Sequence, residues 1–158
     1  MIFQRTITTP KNTTIAAPLR TILKVTYGVV YRLEIQLPFG NVGLLGVRIF
    51  DHTNQIYPST NGEYFTGQGV LLAYDDKYNK FTEPFEFEIE TYNLDDTYEH
   101  KAIIRIGMAV TNDEIASLFP SRQVSSLAES LAAQTAETVS TRRSILKRAI
   151  DLVTGTGG

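Results

Sequence analysis

The only two histidines of this 158-residue chain each follow an acid, as Asp51-His52 and Glu99-His100. A carboxylate that orients an imidazole is half of a serine-type triad, in which the ring takes a proton from a hydroxyl. Neighbours along a strand point to opposite faces, so adjacency alone builds no acid–histidine hydrogen bond. No Gly-x-Ser-x-Gly elbow is present to present a nucleophile. Both histidines therefore read as polar residues near strand ends.

The paired carboxylates Asp75-Asp76 and Asp95-Asp96 fall in expected loops. Brought to one end of a fold, they could ligate calcium through oxygen. Neither pair has the regular spacing of a dedicated site, so turn chemistry is the simpler expectation. A glycosidase would have to use the same carboxylates and has still less support. The run Gly40-Asn-Val-Gly-Leu-Leu-Gly46 superficially resembles a phosphate loop, but Val47-Arg-Ile-Phe continues as strand where the motif needs a helix. These glycines are expected to serve a tight connection. With no cysteine in the chain, disulfides, thiolate metal sites and cysteine nucleophiles are excluded. The expectation is a non-enzymatic chain without a cofactor or a resident metal.

Aromatic residues crowd one stretch: Tyr57, Tyr64, Phe65, Tyr74, Tyr78 and Phe81 sit among Asn, Gly and Asp. Rings on loops 57–81 could stack on a sugar or a peptide, although tryptophan is absent. Packing of long loops is the blander account. Asn12-Thr-Thr is a lone glycosylation sequon, and it carries little weight because no secretory signal is expected from Met1-Ile-Phe-Gln-Arg-Thr-Ile.

The elements that hold these residues are strands. Val29, Tyr31, Leu33, Ile35 and Leu37 alternate with Arg32, Glu34 and Gln36; Phe85, Phe87 and Ile89 alternate with Glu86, Glu88 and Glu90; Ala102, Ile104, Ile106, Met108 and Val110 form a third set. A period of two places each set on one face of a strand. Further strands are expected at Ile2–Ile7 (an edge), 22–27 (ending at Gly28), 44–50, 69–74 (ended by Asp75-Asp76) and 55–57. The expected core is Tyr31, Leu33, Ile35, Phe85, Phe87, Ile104 and Ile106. Asn93-Leu-Asp-Asp-Thr reads as a hairpin-like joint that could set Glu86, Glu88 and Glu90 against Lys101 and Arg105, although a solvated face is the simpler expectation. Without helical crossovers the sheet is mainly antiparallel. The fold class is an antiparallel β-sandwich, jelly-roll-like, over residues 1–111.

Residues 112–158 read as a helical C-terminal tail. Asn112 suits an N-cap, and Asp113 and Glu114 place negative charge in a first turn that should end before Pro120. Beyond it, Leu127, Leu131, Ile145, Leu146, Ile150 and Val153 mark a narrow aliphatic stripe, interleaved with Arg142, Arg143, Lys147 and Arg148. Such an amphipathic helix needs a surface to lie on. Those six aliphatic residues are the expected assembly interface, and the cations also suit a membrane surface. All eight tyrosines and eight phenylalanines precede residue 121, and the charge divides as −4 for residues 1–120 and +2 for the remainder. That balance does not suit a nucleic-acid binder, which needs a strongly basic face. No stretch of 18 apolar residues spans a bilayer.

A cysteine-free antiparallel sandwich with long loops and an appended amphipathic helix resembles phage and viral virion structural proteins of the small jelly-roll type. That resemblance implies a capsid or capsid-associated subunit that packs against copies of itself or other structural proteins. It would be assembled in a host cytoplasm; a cytoplasmic location is the expectation otherwise. The competing expectation is a module that binds carbohydrate or peptide through loops 57–81.

Overall fold

Period-two alternation becomes pleat along most of the chain. The computed structural model describes Met1–Leu118, one compact unit. Its strands are β1 (Ile2–Thr9), β2 (Leu19–Lys24), β3 (Gly28–Leu37), β4 (Leu45–Asp51), β5 (Asn54–Tyr57), β6 (Phe65–Thr66), β7 (Val70–Lys80), β8 (Glu86–Asn93) and β9 (His100–Ala109), followed by helix α1 (Asn112–Leu118). They form two antiparallel sheets: β1-β9-β3-β7, and β2-β8-β4-β5 with β6 added on β4. One hydrophobic core draws on the inner faces of both, with Ile7, Leu33, Ile35, Ile104 and Ile106 from the first sheet and Leu23, Val47, Ile49, Phe87 and Ile89 from the second.

Two residues expected in that core are elsewhere. A register shift between Val30 and Arg32, against both β7 and β9, interrupts the alternation of β3. Val29 and Val30 are both buried in consequence, and Tyr31 turns to the outer face, where its ring covers Gly107. A Cβ on Gly107 would lie 2.7 Å from that ring, so the bare glycine makes room for the tyrosine. Phe85 precedes β8 and is only half-buried, edge-on to Tyr27.

Consecutive strands tend to lie in opposite sheets, and this undoes the expected joint at 93–97. β8 belongs to the second sheet and β9 to the first, so Glu86, Glu88 and Glu90 do not face Lys101 and Arg105. Asn93 anchors the crossing: its side-chain amide donates to the carbonyls of Thr9 and Tyr98, and its backbone N–H donates to Thr13. Glu88 and Glu90 meet arginines from their own sheet. Arg20 on β2 reaches Glu88 and Glu90, and Arg48 on β4 reaches Glu90.

Strand β7 does not stop at Asp75-Asp76. Arg32 donates to Asp75 at 2.7 Å and the Tyr57 hydroxyl to Asp76 at 2.7 Å, so both acids have partners on a strand that continues to Lys80. The strand expected over 22–27 starts earlier, at Leu19, and ends at Lys24. Gly28 opens β3 with φ 152°, so close to the Ala109 carbonyl that a Cβ would lie 2.4 Å from its oxygen. Helix α1 is capped by Thr111 rather than Asn112. The Glu114 N–H donates to the Thr111 hydroxyl, and the Glu114 carboxylate accepts from the N–H groups of Val110 and Thr111. This is a capping box, two orphan donors satisfied reciprocally, and those two N–H bonds, before any other cause, hold Glu114 below the usual carboxylate range. No helix among the described residues is long and apolar enough to cross a membrane.

Candidate functional site

Where β4 ends, a cluster of buried charges gathers. Asp51 is the last residue of β4, and His52 begins the turn to β5 with φ 56°. That left-handed step swings the imidazole back, so Nδ1 lies 2.7 Å from Asp51 Oδ1. Adjacency therefore does make an acid–histidine pair here, contrary to the expectation for an extended strand, because His52 has left the strand. The other ring nitrogen lies 3.2 Å from the Glu83 carbonyl.

Across the core, β7 supplies two more partners to the same carboxylate. The Lys80 ammonium donates to Asp51 Oδ1 at 2.5 Å, and the Tyr78 hydroxyl donates to Oδ2 at 2.7 Å. Lys80 is 0% exposed and Asp51 8%. Lysine is almost never so buried without a partner. The ammonium also sits 5.5 Å from the centre of the Phe87 ring, which contacts Tyr78 edge-on. Burial pushes the Asp51 carboxyl up, but hydrogen bonds from Lys80, Tyr78 and His52 outweigh it and hold the group below its ordinary value. Burial, then the adjacent carboxylates, push the Tyr78 and Tyr57 hydroxyls well up, so both remain donors. The cluster ties the edge strand of one sheet to the end of a strand in the other.

The second histidine pairs with neither neighbour. His100 Nε2 lies 2.8 Å from Asp95 Oδ2, while Asp95 Oδ1 accepts from the N–H groups of Thr97 and Tyr98. Those backbone bonds, more than the imidazole, hold Asp95 below the usual carboxylate range. Asp95 and Asp96 shape the β8–β9 connection, whereas Asp75 and Asp76 lie within β7; the two acid pairs are not brought together. Among the described residues no three His, Asp or Glu side chains gather closely enough to hold a metal ion. The glycine-rich run is a tight connection, as its sequence implies. Buried Asn41 donates to the Pro38 carbonyl and accepts from the Gly43 N–H, and β4 follows directly.

On the outer face of the second sheet Glu90 is 2% exposed, although the sequence makes it equivalent to Glu86 and Glu88. Arg48 grips it through two nitrogens, at 2.6 and 2.7 Å, and Arg20 adds a third contact at 3.0 Å. The Arg48 guanidinium lies over the rings of Tyr64 and Phe50, 4.4 and 5.0 Å from their centres. Hydrogen bonds to charged groups contribute about 1.5–3 kcal/mol. Glu90→Ala is expected to cost that much in urea unfolding, and Glu88→Ala less than about 0.5 kcal/mol. Equal losses would refute the distinction.

The aromatic stretch is not a set of free loops. Tyr57 is on β5, Phe65 on β6, and Tyr74 and Tyr78 on β7. Phe65 stacks on Tyr74, Phe81 on Tyr27, and Tyr64 meets Tyr92 edge-on. Tyr74 and Phe81 remain exposed, and further exposed apolar side chains lie where the connections β1–β2, β3–β4 and β8–β9 meet. Asn12 donates to the Asp95 carbonyl and Leu94 to the Leu44 carbonyl, which join the three. Here Phe39 is 81% exposed and Val42 70%, with Ile15, Leu44, Leu94 and Tyr98 also exposed. The aliphatic residues Leu127, Leu131, Ile145, Leu146, Ile150 and Val153, the four tail cations and the rest of the predicted tail beyond Leu118 lie outside the described residues.

Lys80 and Tyr78 carry the buried cluster; in the sequence Tyr78 stands out only as one of the loop aromatics and Lys80 not at all. Their signal was the even-numbered alternation of β7, which runs on from Val70 and Leu72 through Asp76 to Tyr78 and Lys80. No protein-family model matches this chain, and no curated protein matches it.

Proposed function

We propose that this chain is a non-catalytic structural subunit of a larger assembly, of the virion type, joined to copies of itself or to other structural proteins. The observation that carries this reading is the apolar end formed by Ile15, Phe39, Val42, Leu44, Leu94 and Tyr98. Exposed apolar side chains gathered on adjoining connections mark interaction sites on otherwise well-packed proteins. The fold we assign is a jelly-roll sandwich: β1-β9-β3-β7 opposite β2-β8-β4-β5, with β6 an added ribbon. Jelly rolls recur in viral capsid and lectin domains, so the architecture alone does not choose between assembly and sugar binding. Within 57–81 Tyr57 packs against Tyr78 and Phe65 against Tyr74, which leaves Tyr74 and Phe81 as the exposed rings that a sugar or peptide would use. In this reading the stripe Leu127, Leu131, Ile145, Leu146, Ile150 and Val153 is a second contact between subunits.

Light scattering on the full chain tests the proposal. An assembled mass well above 17.6 kDa is expected. Phe39→Ser with Val42→Ser should shift it towards the monomer while circular dichroism stays unchanged. A monomeric full chain at high micromolar concentration would refute the reading.

A further inference from the structure

We infer that Lys80 and Asp51 condense to an intramolecular amide, a covalent bridge between the two sheets. Burying an ion pair is expensive, because the desolvation of both charges competes with their attraction. This one lies in the core, with the ammonium fully buried and the carboxylate nearly so. Proton transfer from Nζ to Oδ1, which are in hydrogen-bond contact, gives a neutral amine and a neutral acid. Those are the forms that react.

The residues around the carboxylate suit each step. Nζ attacks Cγ of Asp51, and the Nζ–Cγ bond forms as negative charge develops on Oδ2. The Tyr78 hydroxyl already donates to Oδ2, and a donor fixed at a developing oxyanion stabilises it. The Cγ–Oδ1 bond then breaks. Oδ1 already holds the proton received from Nζ; a second proton, shed by Nζ after attack, lets it leave as water. His52 Nδ1 lies against Oδ1, so the imidazole relays to Oδ1 the proton that Nζ sheds. The balance is one ammonium and one carboxylate in, one amide and one water out. No oxidant, metal or co-reactant is needed. Condensation that is unfavourable between free molecules in water is helped here by fixed proximity, and His52 stands at the exposed side through which water departs. The event happens once per chain, so it is a modification and not turnover.

Intact mass spectrometry of the purified full chain decides the matter. The expected mass is lower than that of the sequence by about 18 Da, one water. Proteolysis should release a branched peptide that joins the segment containing Asp51 to the one containing Lys80. Lys80→Met should restore the full mass expected for its sequence, and His52→Ala should contain a fraction of unbridged chain. An unbridged wild-type mass overturns the inference. So does a water loss that survives in Lys80→Met, because that would be a cyclic imide at Asp51-His52.

Discussion

Phe87→Ala is expected to lower stability by about 3–5 kcal/mol, the range for removal of a buried aromatic ring. Phe85→Ala, two residues away on the same sequence stripe, is expected to cost no more than about half of that, since the loss scales with the buried volume removed. Phe87 is wholly buried, pairs in register with Leu23, and packs beneath both Tyr78 and the Lys80 ammonium. Its removal would open a cavity beside a buried charge, where surrounding strands from two sheets cannot collapse inward. Phe85 precedes the strand, and its ring rests edge-on against exposed Tyr27. Urea unfolding of the two variants at neutral pH measures the difference. Equal midpoints would mean that the inner face of β8 has been misassigned.

The contrast between these rings shows how far alternation alone can be read. Leu33, Ile35, Phe87, Ile104 and Ile106 follow the period and are buried because their stretches of strand are regular. Tyr31 obeys the same period and is turned outward, because one irregularity in β3 flips every residue on its N-terminal side relative to the sheet. Nothing local marks that slip; its counterpart is Gly107, 76 positions away in sequence and legible only once β3 and β9 are paired. Pairing itself was the second thing hidden. Glu86, Glu88 and Glu90 look alike as a run of acids, yet Glu90 alone is enclosed, because its strand neighbours happen to carry Arg20 and Arg48. The Asp51–His52 contact was missed for a smaller reason. The rule about opposite faces holds for extended backbone, and His52 is where the backbone stops being extended. The polar centre was the least legible, since Lys80 and Asp51 come from different sheets and 29 positions apart.

That centre makes the other large prediction. Asp51→Ala is expected to destabilise the protein by about 3–5 kcal/mol, because it leaves the Lys80 ammonium in the core without its carboxylate. Lys80→Met is expected to cost less. It removes the charge and retains an apolar stem against Phe87, and Asp51 keeps Tyr78 and His52 as donors. Neither variant can form the amide, so the difference between them isolates the stranded charge from any covalent contribution. The double variant Asp51→Ala with Lys80→Met should then be more stable than Asp51→Ala alone, since a cavity costs less than an unpaired buried ion. Urea midpoints of the three variants, measured at one pH and ionic strength, give the order directly. If the double variant is no more stable than Asp51→Ala, the ammonium finds water in the single variant, and the pair is a surface contact and not a link through the core.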